Sequence, residues 1–266
     1  NKYMILRIYQ IISNLFSPII FVFFVFRLLR SKETKNSILN KFCLKKIQRP
    51  SGKLIWINSV SIGESKSALI AAEKICKKYP EAKILFTTST ISSFNLISKK
   101  RKNFIFVYSP IDISFVIKRF INIWSPDLAI FIESEIWPNT ISFLKKKKTK
   151  FIILNGRMSN KSYYFWHKVK FISKKVFSLI DLCLAQDKKS AIRYKNLGTK
   201  KVEVIGNLKF LSKKLKVDEK YFFKLKKTLK KKKIITLFSS HFNEEEMLIK
   251  CAKKLQQKYK DLFFIL

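Results

Sequence analysis

Three short segments of this chain carry the residue types that acid–base and anion chemistry require. The first runs from Asn58 to Ser65 and holds Ser61, Gly63 and Glu64. Gly63 permits a tight turn, and free backbone N–H groups at a helix start can receive an anion. A carboxylate there is favoured by the helix dipole. Glu64 is therefore a candidate to take a proton from a hydroxyl nucleophile, or else a first-turn Glu that supports its helix. The second segment, Ile132 to Asn139, places Glu133 and Glu135 two residues apart. Such a pair can hold substrate hydroxyls or share a metal, and it can equally cap the next helix. No third acidic residue or His lies nearby, so a metal is not expected. The third, Phe238 to Glu245, contains Ser239, Ser240 and His241, which can hold a phosphate or carboxylate at a helix start. His167, the other histidine, sits mid-helix and reads as structural. Neither phosphate-loop nor dinucleotide glycine patterns occur, and no Ser/His/Asp or Cys/His arrangement suggests nucleophilic catalysis.

The composition gives these residues their weight. Acidic residues number 17 against 56 Lys and Arg, for a formal net charge of +39, and there are only five glycines. The sign of the charge points to anionic partners. Lysine is spread throughout, however, and runs such as Lys145–Lys148 and Lys230–Lys233 read as solvated helix ends. Four well-separated cysteines with no C-x-x-C suit a reducing compartment, not a disulfide framework. A hydrophobic share of 47% is ample for a packed core and too high for a disordered basic tail.

The elements that position these segments follow from hydrophobic periodicity. Residues 8–26 form 19 uncharged residues between Arg7 and Arg27, about 28 Å of helix and enough for one membrane span. Pro18, Gln10, Ser13 and Asn14 weaken that span, leaving a tilted or interfacial helix open. The basic residues after it place the remainder on the cytoplasmic side. From residue 53 short apolar runs alternate with amphipathic stretches. Strands are predicted at Leu54–Asn58, Ile84–Thr87, Phe104–Val107, Leu128–Ile132, Phe151–Leu154, Leu182–Ala185 and Val202–Ile205. Helices are predicted at Ser65–Lys78, Ser92–Lys100, Ser114–Trp124, from Trp137–Pro138 onward, Tyr164–Ile180 and Lys188–Asn196. Such alternation means an α/β fold with a parallel sheet covered on both faces. Lys209–Val217 reads as a linker. Helix Asp218–Lys230, strand Ile234–Phe238, helix Glu244–Lys258 and strand Leu262–Leu266 then begin a second α/β unit. The division expected is 1–48 anchor and juxtamembrane segment, 49–212 first Rossmann-like domain, and 213–266 linker and start of a second domain. That second domain reads as truncated at its C-terminus.

Taken together, the anchor, WINSVSIGES, FIESEIWPN, NGRMS, AQDKKSAIRYKNLG, VIGNLKF and SSHFNEEE resemble, in order, the 3-deoxy-D-manno-octulosonic acid (Kdo) transferases of lipopolysaccharide synthesis. The resemblance runs through essentially the whole chain. It implies the GT-B arrangement of two Rossmann-like domains and an inverting, metal-independent glycosyltransferase without a cofactor. It further implies transfer of Kdo from CMP-Kdo to a lipid A precursor, lipid IVA, at the cytoplasmic face of a bacterial inner membrane. Glu64 becomes the general base and Glu135 a second functional carboxylate. Ser61 and Gly63 line the substrate site, Ser240 and His241 fall on the donor side, and Arg157 and Lys209 are anion contacts. Two departures stand out: Asn58 where the family commonly has His, and no recognisable Gly-Glu-Arg motif in residues 31–48. Family segments that hold most of the nucleotide would follow Leu266, so residues 1–266 alone are expected to be inactive. The alternatives are another membrane-associated GT-B sugar transferase, a membrane-anchored partner without catalysis, and a basic nucleic-acid-binding protein. No RNP, KH or helix-turn-helix pattern supports the last, and no nucleic-acid partner is expected.

Overall fold

The computed structural model describes residues 4–45, 47–98, 103–211, 217–230, 232–240 and 242–265. They fall into two units, Asn1–Ser212 and Lys213–Leu266. The first unit opens with helices α1 (Met4–Leu15), α2 (Ser17–Leu29) and α3 (Lys35–Lys41). Strands β1 (Leu54–Ser59), β2 (Lys83–Thr88) and β3 (Phe104–Tyr108) alternate with helices α4 (Ile62–Lys78), α5 (Ile91–Ile97) and α6 (Ser114–Trp124). Then come β4 (Leu128–Ile132), α7 (Pro138–Lys146), β5 (Lys150–Gly156), α8 (Asn160–Lys168), α9 (Lys170–Phe177), β6 (Leu182–Ala185), α10 (Lys188–Leu197) and β7 (Val202–Val204).

The seven strands form one parallel sheet in the order β3-β2-β1-β4-β5-β6-β7. Successive strand residues point to opposite faces, so the apolar runs feed two separate cores. Trp56, Phe131, Phe151 and Cys183 pack on one face with Phe120, Trp124 and Phe177. Ile57, Phe86, Ile130 and Ile132 pack on the other against Ala68 and Ala72 of α4. The small alanines let α4 lie close to the sheet. Strand order reverses between β1 and β4, and loops leaving these two strands diverge to open a crevice at their carboxyl ends.

The N-terminal span differs from the single helix expected. Helices α1 and α2 are bent by 49°, and no single helix among the described residues is long and apolar enough to cross a membrane. Pro18 is the cause: it has no N–H for the Asn14 carbonyl, and its ring crowds that turn. The Ser17 hydroxyl donates to the Asn14 carbonyl instead, at 2.7 Å. The helix predicted at Tyr164–Ile180 is likewise two helices, broken at Val169 (φ −99°, ψ 44°). Helix α5 is described only to Ile97, and Lys99 and Lys100 lie outside the described residues.

Residues 31–48, which showed no motif, hold a buried ionic knot. Glu33 Oε1 lies 2.6 Å from Lys41 Nζ and 3.3 Å from Arg27 Nη2, and Glu33 Oε2 accepts from Ser37 Oγ at 2.6 Å. Thr34 and Ser37 cap α3 reciprocally. Burial lowers the Lys41 pKa, and the bond to Glu33 opposes that shift.

The second unit contains α11 (Glu219–Thr228), β8 (Lys233–Thr236), α12 (Glu244–Lys258) and β9 (Leu262–Ile265). Strands β8 and β9 pair in parallel, Lys233 opposite Leu262. Asp218 caps α11 by accepting from the Tyr221 N–H at 3.1 Å.

Gly156 marks the closest approach in the first unit. A Cβ there would stand 2.7 Å from Cys183 Sγ and 3.3 Å from the Tyr194 ring. Gly156→Ala should therefore lower stability by about 1–3 kcal/mol through overpacking, read as an earlier denaturant midpoint. An unchanged midpoint would mean that β5 and α10 are looser than described.

Candidate functional site

Glu64 stands in the first turn of α4, directly beyond β1. Ser61 is the N-cap, with extended backbone (φ −95°, ψ 164°) and a side chain that accepts from the Glu64 N–H at 3.3 Å. Glu64 answers by accepting from the Val60 N–H through Oε2 (2.8 Å) and from Ser61 Oγ through Oε1 (3.0 Å). Glu64 thus accepts from the N–H just before the N-cap and from the N-cap hydroxyl, so it supports its helix and also presents a fixed, half-buried carboxylate at the switch point. The helix starts at Ile62, three residues earlier than Ser65. Gly63 therefore lies inside the helix with no positive φ, and the tight turn expected there is absent. What Gly63 provides is room, because a Cβ would come no nearer than 4.0 Å to Lys209 Cε and Ser61 Oγ.

The second carboxylates leave β4. Glu133 is held at φ +60°, a left-handed conformation unusual for a residue with a side chain. Its N–H donates to the Leu154 carbonyl (3.0 Å), and its carbonyl accepts from the buried Tyr194 hydroxyl (3.0 Å). Such strain persists only where surrounding bonds over-determine it. Its carboxylate meets Lys209 Nζ at 3.1 Å. Glu135 Oε2 accepts from Trp137 Nε1 at 2.8 Å. Burial pushes the Glu135 carboxyl from 4.5 up to about 7; the Trp137 bond opposes this, and the nearby Glu64 and Glu133 charges add to it. The three carboxylates thus share one electrostatic neighbourhood, assembled from loops on either side of the strand-order reversal.

Lys209 belongs to that neighbourhood and not to a featureless linker. It sits in a short 3-10 helix, Leu208–Leu211, which packs beside α4. Asn155 anchors this helix by accepting from the Leu208 N–H through Oδ1 at 3.0 Å. A register shift between Leu154 and Gly156 bulges β5, and Asn155 takes φ +59° within it. Bulges of this kind re-aim a side chain. Asn tolerates the left-handed region better than most residues, the one signal by which its role could have been found.

Beside this cluster lies a cavity of about 210 Å³, lined by Phe24, Lys41, Trp56, Asn58, Asp112, Phe131 and Trp137 among others. Trp137 joins the two, with its ring on the cavity and its N–H on Glu135. Asn58, one of the two noted departures, accepts from Thr87 Oγ1 (2.7 Å) and Ser109 Oγ (2.6 Å) through its Oδ1. A mostly apolar wall with a few fixed polar groups suits an organic ligand.

The structure therefore gathers Ser61, Gly63, Glu64, Glu133, Glu135 and Lys209, and adds Trp137, Asn155 and Tyr194. Arg157 follows β5 at the same edge of the sheet and is exposed; among the described residues no hydrogen bond ties it to the cluster. Ser240 lies in the second unit and donates to Glu245 Oε1 at 2.5 Å. Helix α12 starts at Glu244 with three consecutive glutamates, so its first turn is itself acidic. His241 lies outside the described residues. Among the described residues, no three His, Cys, Asp or Glu side chains converge as a metal site.

The proton on Glu135 couples stability to pH. The folded chain keeps this proton up to about pH 7, whereas the unfolded chain releases it near pH 4.5. The folded state thus binds more protons in that window, and stability falls as pH rises through it. At about 1.4 kcal/mol per unit, the fall is on the order of 3 kcal/mol. Glu135→Gln should flatten the loss of stability between pH 4.5 and 7.5, measured by urea unfolding; an unaltered slope would contradict the assignment.

Comparisons with known proteins bear on the family and the fold. The family described as "3-Deoxy-D-manno-octulosonic-acid transferase (kdotransferase)" matches residues 36–212. A 3-deoxy-D-manno-octulosonic acid transferase of Rickettsia bellii is 35% identical over 262 residues, covering 98% of this chain and 62% of the relative. That of Haemophilus influenzae is 33% identical over 224 residues, covering 82% of this chain and 52% of the relative. The chain thus spans between half and two thirds of these relatives' length. Among solved structures, the UDP-GlcNAc 2-epimerase from Neisseria meningitidis bound to UDP-GlcNAc superposes with a TM-score of 0.53 at 13% identity, over 80% of this chain and 64% of that one. The S. aureus MnaA-UDP co-structure gives 0.50 at 15% identity, over 80% and 62%. These likenesses concern the fold alone, and they agree with the GT-B class expected. Sequence, topology and family match lead to one conclusion: the chain belongs to the 3-deoxy-D-manno-octulosonic-acid transferase family.

Proposed function

We propose that this chain forms the acceptor side of an inverting glycosyltransferase that moves Kdo from CMP-Kdo to a lipid A precursor such as lipid IVA. The observation that carries the reading is the meeting of Glu64 and Glu135 at the strand-order reversal, close enough for one charge to raise the other's pKa. A Glu135 carboxyl that keeps its proton toward neutral pH, next to a second carboxyl group, gives one site a donor of hydrogen bonds beside an acceptor.

In this reading Glu64 accepts the proton of the acceptor's primary sugar hydroxyl as that oxygen attacks the anomeric carbon of Kdo. The bond from that carbon to the CMP phosphate oxygen breaks, and CMP leaves with the electron pair. Bonds from the Val60 N–H and Ser61 hydroxyl hold the Glu64 carboxylate in one orientation, which limits the entropy lost on reaction. Glu135, sharing its proton near neutral pH, donates to or orients a substrate hydroxyl. Lys209, paired with Glu133, adds a cation beside them, and Arg157 contributes a further one at the same edge. Charge developing on the departing phosphate requires donors in the site. Ser240 and His241 are assigned to that donor side by resemblance. The same resemblance assigns no metal and no cofactor to the reaction.

The cavity beside Trp137 suits the acceptor sugar. Its aromatic wall offers stacking surface, and Asn58 and Lys41 offer polar contacts. A phosphorylated glycolipid acceptor also fits the chain's basic surface, with a formal net charge of +39.

The test is Kdo transfer by the full-length protein, comparing wild type with Glu64→Gln. The expected outcome is a fall in turnover of about 10²–10⁴ with CMP-Kdo binding retained. Turnover within a few-fold of wild type would remove Glu64 from the mechanism.

A further inference from the structure

The N-terminal helix pair has two faces, and they do different work. One face of α1 is bonded to the sheet domain. Ser13 Oγ accepts from the Ser114 N–H (3.3 Å) and from Asn139 Nδ2 (3.0 Å), and Asn14 Oδ1 accepts from the Phe115 N–H (3.3 Å). Tyr9 donates to Asp112 Oδ2 at 3.2 Å. Asp112 is buried and also accepts from the N–H groups of Asn139 and Thr140, at 3.1 and 2.8 Å. Neither α6 nor α7 has a cap from its own N-cap side chain. Residues of α1 and Asp112 therefore satisfy N–H groups that would otherwise be orphaned at both helix starts. Helix α2 continues the docked side with Ile20, Phe24 and Leu28 packed on the core.

The opposite face is apolar and uncovered. Ile11, Leu15, Phe16, Ile19, Phe23 and Phe26 are exposed and recur at helical spacing across the bend. Such a stripe marks a surface that rests on something apolar. Its borders are cationic. Arg7, Arg30, Lys32 and Lys35 are exposed, Arg30 lies 5.2 Å over the Phe26 ring, and no acidic residue occurs before Glu33.

We infer that residues 4–29 form a bent helix pair lying in the plane of an anionic lipid bilayer, with the exposed stripe immersed and the bonded face holding the sheet domain against the membrane. Placing α1 across the hydrocarbon would break the bonds of Tyr9, Ser13 and Asn14 and leave the α6 start unsatisfied. At 1.5 Å per residue, α1 and α2 are each about 20 Å long, so only the pair together, bent by 49°, has the length of the roughly 30 Å hydrocarbon core, and the docking of α1 is what opposes that broken span. A second copy of this chain is a poor occupant, because two bodies of net charge +39 repel, whereas an anionic surface attracts the cationic border. In-plane helices of this make-up bind by immersed apolar area plus attraction to anionic headgroups.

The inference rests on the reading that the substrate is a membrane glycolipid, and its test separates the two. Full-length protein carrying an N-terminal epitope tag is bound to the outside of vesicles of phosphatidylcholine and phosphatidylglycerol. The in-plane arrangement leaves the tag open to added protease without detergent; a tag protected until lysis would show a span and overturn it. Phe16→Glu combined with Phe23→Glu alters exposed positions only. It should weaken vesicle partitioning at least ~10-fold with an unchanged thermal midpoint. Unchanged partitioning would overturn the inference, as would a wild-type dimer in solution that this variant dissolves. Retained Kdo transfer to detergent-dispersed acceptor, alongside any of these three overturning results, would leave the function standing and retire only the membrane geometry.

Discussion

Burial of the Glu135 carboxyl beside two further carboxylates, Glu64 and Glu133, is the constraint on which the candidate site depends. Burial and the charges of Glu64 and Glu133 hold a proton on Glu135 up to about pH 7, so the site resists being fully ionised. That tension is maintained by bonds, not by packing alone. The Val60 N–H and Ser61 hydroxyl fix Glu64, the Trp137 N–H fixes Glu135, and Lys209 offsets Glu133. Groups of the same charge sign stay close only where the scaffold can absorb the cost.

The scaffold absorbs it through the order of its strands. Because β1 and β4 are neighbours while their connections run to opposite sides, the loops after them converge on one crevice without clashing. Secondary devices then tune the positions. The left-handed turn at Glu133 is pinned by Tyr194, the bulge at Asn155 carries the helix that delivers Lys209, and Gly63 leaves the gap that the Lys209 stem crosses. Farther out, Asp112 and α1 complete the starts of α6 and α7. The start of α7 directly follows Trp137, so the N-terminal helices and the carboxylate cluster bear on one segment of chain.

Much of this was legible in the sequence, for physical reasons that differ by element. Buried parallel strands are unbroken apolar runs, so β1 to β6 stand out even in a lysine-rich chain. Glu64 and Glu135 were visible because acidic residues are scarce and these follow strands. The rest depends on contacts distant in sequence. Asp112 lies in an unremarkable loop, and its partners come from residues 9, 139 and 140. Glu33 and Lys41 pair across a helix that lacked any motif. Lys209 looked like linker because the residue that anchors its helix, Asn155, is more than fifty positions away. Ser13 and Asn14 read as flaws in a membrane span; they accept from the N–H groups at the start of α6.

The most direct test of the carboxylate coupling is the titration of Glu135 by carboxyl-carbon NMR in the wild type and in Glu64→Gln. An apparent pKa of about 7 is expected in the wild type. A lower value is expected in the variant, still above the ordinary range because burial persists. A Glu135 that titrates identically in both proteins, or near 4.5 in the wild type, would contradict it.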